Sequence, residues 1–462
     1  MIQKTIKELA AMLDVKNDVS AFADVTIHGA SINTLTITKE NLFIPLKGEK
    51  RDGHEFVGDA FEKGATAVLW QADVPNPPTD YPVLIVDDTL KSLQELARKY
   101  REELEVKVVG VTGSNGKTTT KDILAELLSI QYKTQKTIGN FNNHIGLPLT
   151  ILGLDKDTEV AVLEMGMDDF GQIDFLTNMA KPDAAIITNI GEAHLQELGS
   201  RKGIAKAKME ILNGLREDGL FVYPGEEPLI SEQLSTRKHD WKTLTFGKDP
   251  TNDFYIKQFT MKENGSEFHI NQSMESFFLP VLGEYNVLNA LACICVAQEW
   301  GVKYEQMNAA FQKLRLTQMR MELMKGLNGS TILNDAYNAS PTSMKAVIQL
   351  VTDLQGYDKK ILVLGDMLEL GEQEAHFHQQ VGKSIDKNEI DLLYTYGKLA
   401  AHIAEGAKQN KLSPNKIHTF TNKQGLIEHL KNQLEDGTIV LVKASRGMRL
   451  EEVVLSIINH RV

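Results

Sequence analysis

"VKVVGVTGSNGKTTTKD" (residues 106–122) decides the fold. A short apolar, β-branched run enters a glycine-rich turn, and a helix is predicted from about Lys117. That order of strand, turn and helix is the setting of a phosphate-binding loop, whose backbone N–H groups and helix N-terminus face an anion while a lysine reaches the terminal phosphates. The common pattern is G-x-x-x-x-G-K-[ST]. Gly116-Lys117-Thr118 supplies its end, but Val111 stands where the first glycine belongs. The physics asks only for inward N–H groups, an anion-facing helix end and the lysine. Gly113, Ser114, Asn115, Gly116, Lys117, Thr118 and Thr119 can supply these, and the Thr118 hydroxyl can ligate Mg²⁺. A second GKS, in "VGKSID" (381–386), follows a polar helical stretch rather than an apolar strand and is set aside.

Outward from this loop, "VAVLEMG" (160–166) and "AAIITNI" (184–190) repeat the buried-strand pattern with helical stretches between. Such alternation predicts a parallel sheet covered on both faces. Upstream, "NLFIPLKG" and "ATAVLW" read as strands and "LKSLQELARKY" as a helix; the proline-rich "VPNPPTDYP" reads as a surface loop. From about 317 the alternation restarts: "TILNDAY", "KILVLGDM", "DLLYTYG" and "TIVLVKAS" are strand-like, separated by "PTSMKAVIQLV" and "RLEEVVLSIINH". Three α/β domains are expected, at 1–105, 106–316 and 317–462.

Bulk properties agree. A chain of 462 residues is too long for one core. Its 42% hydrophobic and 24% charged residues are globular, and a net charge of −12 without a basic run argues against a nucleic-acid or anionic-membrane surface. No apolar run approaches a membrane span, and the N-terminus lacks a signal-peptide core. Cys293 and Cys295, two apart on a predicted helix, do not share a face and read as small buried residues. A monomeric, cytoplasmic protein is expected.

Glu164 closes an apolar run beside the loop strand. Alone it reads equally well as a solvated strand end; next to a phosphate loop, magnesium ligation is the better reading. His194, in "TNIGEAHLQELGS", follows the third such strand, where the ligand crevice of a parallel sheet opens. At helical spacing Ile204, Ala207, Ile211, Leu212 and Leu215 form an apolar stripe that carries Lys208 but not Lys206. Lys208 then either snorkels from the edge or is buried and neutral, and a neutral amine can take up CO₂ as a carbamate.

"VTGSNGKTTTKD", "LEMGMDDFGQI", "GIAKAKMEI", "LGEYNVLNALA", "MRMEL", "NDAYNASPTSM", "LGDMLELGE" and "VLVKASRGMRLEEV" follow in this order, and together the chain resembles the Mur ligase family over nearly its whole length. These enzymes use a shortened loop, T-G-[ST]-x-G-K-[ST], which this sequence fits. The resemblance implies an N-terminal uridine-binding domain, a central P-loop domain that binds ATP and a C-terminal Rossmann-like domain. It implies ATP-dependent joining of D-alanyl-D-alanine to UDP-N-acetylmuramoyl-tripeptide through an acyl phosphate, a step toward peptidoglycan. By the same resemblance Lys117 holds the β/γ-phosphates, Thr118 and Glu164 one Mg²⁺, and His194 with a carbamylated Lys208 a second. Asn289 contacts adenine, Arg320 the γ-phosphate and Asp335 the ribose. One departure stands out: Asn33-Thr34-Leu35 occupies the place of the family's uridine-side D-[ST]-R, although "GEKRDGHEF" (48–56) nearby fits. A folylpolyglutamate synthase shares the loop but lacks such an N-terminal domain, and a P-loop ATPase that only binds nucleotide leaves the acid, histidine and lysine unexplained.

Overall fold

A computed structural model describes residues 1–459. It is built around three larger sheets. In the first, Ala30–Ser31, Asn41–Phe43, Ala65–Gln71 and Val83–Val86 lie parallel in that order. A small antiparallel pair, Gln3–Thr5 with Thr26–His28, adjoins it. The helix Thr89–Glu103 starts on Asp88, whose carboxylate accepts from Lys91 N. It buries Leu93, Leu96, Ala97, Tyr100 and Arg101 on one side, the stripe a 3.6-residue period gives.

The central sheet has nine strands. Lys107–Thr112 lies between Ala184–Ile187 and Val160–Glu164, parallel to both, so the three segments read as buried strands are direct neighbours. Register sets Val111 opposite Glu164 and Thr112 opposite Ile187, which brings the strand exits to one level. Thr134–Lys136 closes one edge; Leu220–Pro224, Lys242–Gly247 and Phe254–Lys262 extend the other in parallel. A finding the alternation did not foretell is the antiparallel end of this sheet, where Gly265–Ile270 folds back on Phe254–Lys262 and Ser276–Leu279 on Gly265–Ile270. Its outer face is polar and only one face is covered: Phe268 and Phe277 stack at 5.4 Å and pack with Phe311 of the helix Tyr304–Lys313.

The helix Lys117–Leu128 packs on the loop strand, and Glu284–Glu299 packs on that helix and on the strands from Leu220–Pro224 to Gly265–Ile270. The second is apolar nearly all round and therefore buried, Cys293 and Cys295 included. The Cys293 thiol donates to Thr120 O at 3.2 Å, and burial pushes both thiols well above their ordinary pKa, as expected of inert core residues.

The third sheet carries Thr331–Asn334, Thr438–Lys443, Lys359–Gly365, Leu392–Tyr396 and Ile417–Phe420 in parallel, with Glu322–Lys325 antiparallel at one edge. The discarded GKS ends the helix Glu374–Lys383. A Cβ on Gly382 would lie 2.0 Å from Ile403 O, so this glycine lets two helices touch. The helix "RLEEVVLSIINH" spans Glu451–Ile457; its final His460 lies outside the described residues. No described helix is long and apolar enough to cross a membrane.

Candidate active site

Between the central and C-terminal sheets lies a cleft of about 440 Å³, lined by residues 114–119, Glu164, Asp168, His194, Asn289, Arg320, Asp335, Tyr337 and Lys443 among others. The loop that forms its floor is held from outside. Asn115 O accepts from Thr188 Oγ1 at 2.5 Å and Asn189 Nδ2 at 2.9 Å, and Asn115 N donates to Asn189 Oδ1 at 3.0 Å. Ser114 N donates to Asn189 O at 3.1 Å and Ser114 Oγ accepts from Gly191 N at 2.8 Å. The "TNIG" after the third strand is thus the loop's clamp, a role no local pattern announced.

Two glycines are obligatory. Gly113 has φ +150°, and a Cβ there would lie 1.9 Å from Thr188 Oγ1. Gly116 has φ +82°, and a Cβ would lie 2.6 Å from Asn289 Oδ1. Asn289 is buried, with Nδ2 3.4 Å from Asn286 Oδ1.

Lys117 Nζ donates to Gly113 O at 2.8 Å, a resting contact across the loop. Burial lowers its pKa; Glu164 and Asp168 oppose that shift and Arg320 adds to it. Glu164 is 1% exposed. Its Oε1 accepts from Asn142 Nδ2 at 2.8 Å, while Oε2 is buried without a partner. Arg320 crosses from the C-terminal side: Nη2 donates to Thr118 Oγ1 at 3.3 Å, the guanidinium lies 3.8 Å from the Tyr337 ring centre, and Nε is unpaired. Asp335 is engaged at both oxygens, by Met321 N at 3.2 Å and by the Lys443 ammonium.

His194 sits at φ +61°, a left-handed conformation uncommon for histidine. Its Nδ1 lies 3.1 Å from Glu369 and 3.4 Å from Asp168, without the alignment of a hydrogen bond. The imidazole holds the Glu369 carboxyl below its usual range. Lys208 is 1% exposed, and no hydrogen bond or ion pair reaches it among the described residues. Burial, aided by the charge of Lys117, lowers its pKa well below the ordinary lysine value. Lys208 is not among the residues that line the cleft.

Nine buried side-chain polar atoms lack a partner among the described residues, and four belong to lining residues: Asn115, Glu164, His194 and Arg320. Buried polar atoms are normally paired, so this concentration marks a cleft built for a polar ligand. No described cluster of three or more His, Cys, Asp or Glu side chains could hold a metal alone. Mg²⁺, which keeps waters and substrate phosphates among its ligands, fits one carboxylate and one hydroxyl, as Glu164 Oε2 and Thr118 Oγ1 provide.

Sequence reasoning had not found Asn142, Asp168, Tyr337, Glu369 or Lys443. "NFNNHIG" (140–146) and the lysine ending "VLVK" (440–443) are the local signals that precede two of them. In the N-terminal domain, Asn33 Oδ1 accepts from Leu35 N at 2.9 Å and Leu35 is 83% exposed, so the departing triplet forms a capped turn. In "GEKRDGHEF", Asp52 binds His54 Nδ1 and the ring's Nε2 accepts from Gln71 N at 3.1 Å, leaving Lys50 and Arg51 exposed at the tip.

A strand, glycine-rich loop and helix of phosphate-loop form, met at Thr118 by an arginine from the C-terminal side, is the frame of a nucleotide-dependent enzyme. The chain belongs to the Mur ligase family: the family's catalytic domain matches residues 26–101, its middle domain 111–297 and its glutamate ligase domain 319–446. It is 50% identical, over 99% of both chains, to the UDP-N-acetylmuramoyl-tripeptide–D-alanyl-D-alanine ligase of Bacillus subtilis. A crystal structure of MurF from Acinetobacter baumannii superposes with TM-score 0.87 at 28% identity, over 98% of both chains. The MurF ligase of Thermotoga maritima in complex with ADP matches with TM-score 0.80 at 30% identity, over 93% of this chain and 96% of that one.

Proposed function

We infer that this chain is an ATP-dependent ligase that joins D-alanyl-D-alanine to UDP-N-acetylmuramoyl-tripeptide. The observation that carries the reading is half-identity along the full length to an enzyme named for that reaction. The domains are taken as 1–105, 106–316 and 317–462, and the enzyme as a cytoplasmic monomer.

The N–H groups of residues 113–119 and the start of the helix Lys117–Leu128 bind the phosphates of ATP. Lys117 leaves Gly113 O for the β/γ-phosphates, Asn289 meets adenine, and Asp335 the ribose. The tripeptide carboxylate attacks the γ-phosphorus, ADP departs, and the carboxyl becomes an acyl phosphate. Arg320 sits against Thr118 where charge gathers on the transferred group, and its free Nε is a further donor. The deprotonated amine of D-alanyl-D-alanine then attacks the acyl carbon and inorganic phosphate leaves. Thr118 and Glu164 are the residues that would hold Mg²⁺ to neutralise phosphate charge, with His194 and a carbamylated Lys208 toward a second ion. Phosphate release that requires ATP, UDP-N-acetylmuramoyl-tripeptide and D-alanyl-D-alanine together is the expected result; release independent of either acceptor would refute the reading.

A further inference from the structure

The helix that begins at the phosphate loop also holds the interdomain linker. Thr118 and Asp122 are four apart on it and so share a face. Arg320 meets the first; Thr317, three residues earlier on the linker, meets the second. Asp122 is 1% exposed. Its Oδ2 accepts from Thr317 N at 2.8 Å and Thr317 Oγ1 at 2.9 Å, a span of 195 residues in the chain. Its Oδ1 pairs with Lys136 Nζ at 2.7 Å and stands 3.4 Å from Lys121 Nζ. Two cations thus fix one oxygen from behind and leave the other for the linker. Between the anchor and the C-terminal sheet, Met319 (φ +61°) and Met321 (φ +51°) flank Arg320 in left-handed conformations. Such residues persist only where their surroundings over-determine them. Met319 N donates to Glu322 Oε2 and Met321 N to Asp335 Oδ1, each at 3.2 Å, so the strained pair is tied at its far end too.

We propose that Asp122 is a positioning residue for phosphoryl transfer: it pins Thr317, so that the linker can deliver Arg320 to the phosphate end of the cleft. The proposal rests on the ligase reading above for the reaction that Arg320 assists. Asp122 touches no reactant and acts through the linker alone.

The test is a double-mutant cycle on the full-length enzyme, reading kcat by phosphate release. Asp122→Asn is expected to lower kcat by about 10- to 100-fold, the cost of misplacing a catalytic group by an ångström, with KM for the UDP-substrate unchanged. In an Arg320→Ala background the same substitution should change kcat by less than about twofold, because the group it positions is gone. An equal loss in both backgrounds, or no loss with Arg320 present, overturns the proposal. Thr317→Val leaves the buried ion cluster whole and removes one hydrogen bond; it should lower kcat by about 3- to 10-fold, and it decides the matter should Asp122→Asn fail to fold. Unchanged turnover in Thr317→Val overturns the proposal as well. Spin labels on Lys238→Cys and Lys411→Cys, with Cys293 and Cys295 buried and silent, read the interdomain distance with a non-hydrolysable ATP analogue. Asp122→Asn should broaden that distance distribution, and a distribution as narrow as that of the parent is a refutation. This arm needs no acceptor, so a parent enzyme inactive on the two named substrates strikes the ligase reading and leaves the anchor to be judged on distances.

Discussion

Substituting Gly113 by alanine isolates the geometry of the phosphate loop. The new Cβ would lie 1.9 Å from Thr188 Oγ1 and 3.1 Å from Thr188 N, so the Thr188 side chain must move away. Moving it breaks its hydrogen bond to Asn115 O, which costs about 1 kcal/mol. Overpacking at a rigid site adds about 1–3 kcal/mol. Holding alanine at φ +150° adds about 1–2 kcal/mol. Together these oppose the binding conformation by about 3–6 kcal/mol, which is about 10²- to 10⁴-fold in nucleotide affinity. Isothermal titration with ADP measures it, with circular dichroism to show that the fold is kept. Thr188→Ala in the Gly113→Ala background removes the closest clash, while Asn189 Nδ2 still reaches Asn115 O at 2.9 Å. The double variant should regain part of the loss, short of the parent because the contacts with Cβ at 3.0 Å and N at 3.1 Å of residue 188 remain. Parent-like affinity in Gly113→Ala, or no recovery in the double variant, would refute the reasoning.

Lys117→Ala should reduce turnover by at least about 10²-fold with the fold intact, because the lysine's resting partner is one loop carbonyl; appreciable activity in a folded variant would remove the phosphate-loop assignment. Lys208→Met should be nearly inactive yet no less stable, since it deletes an amine buried without a partner. In ¹³C-bicarbonate the parent should show a carbamate resonance that this variant lacks; small carboxylates such as acetate should partly restore activity to Lys208→Ala. His378 accepts from Met367 N at 2.9 Å, and burial holds its pKa below the ordinary 6.5. The unfolded chain therefore binds the extra proton first, and stability should fall as pH drops below 6.5 toward the folded-state pKa. His378→Gln should flatten that acid slope in pH-resolved urea denaturation, at a cost of about 1–3 kcal/mol at mildly alkaline pH.

What the sequence disclosed and what it withheld divide along range. The loop, its strand and Glu164 were legible because each is a local pattern: an apolar run, a turn, a polar residue at the strand end. Lys208 was legible as an anomaly on a helical stripe, and it is buried. The antiparallel end of the central sheet was not, because its exposed face breaks the apolar runs that marked the parallel strands. The partners of the site residues were illegible for a different reason. Asn142 on Glu164, Asn189 on Asn115, Glu369 beside His194 and Thr317 on Asp122 are each brought in by tertiary folding from 22 to 195 residues away. No periodicity encodes such pairs. Gly382 shows the converse: a GKS triplet with the right letters serves helix packing because no strand precedes it.

The same long-range contacts indicate which parts of the enzyme move together. The helix Thr89–Glu103 joins the N-terminal domain to the central one through Tyr100, whose hydroxyl donates to Leu154 O at 2.9 Å, and through Arg101, which reaches the carbonyls of Ala180, Leu104, Val106 and Lys181. Around them one apolar core runs from Ile2 through Leu93 and Leu96 to Leu163 and Ile187. Opening that seam would expose the core and orphan a buried guanidinium, so these two domains behave as one body. At the cleft the C-terminal domain meets the central one through polar contacts: Ser340 Oγ to Asn115 Oδ1 at 3.2 Å, Thr342 to Glu192, Arg320 to Thr118, and Gln196 N to Glu369 O at 3.5 Å. Water can replace each of these at a net cost of about 1 kcal/mol. Behind these contacts an apolar core also continues across the boundary, from Val109 and Leu291 to Met344 and Leu362, so packing joins the two domains as well as hydrogen bonds.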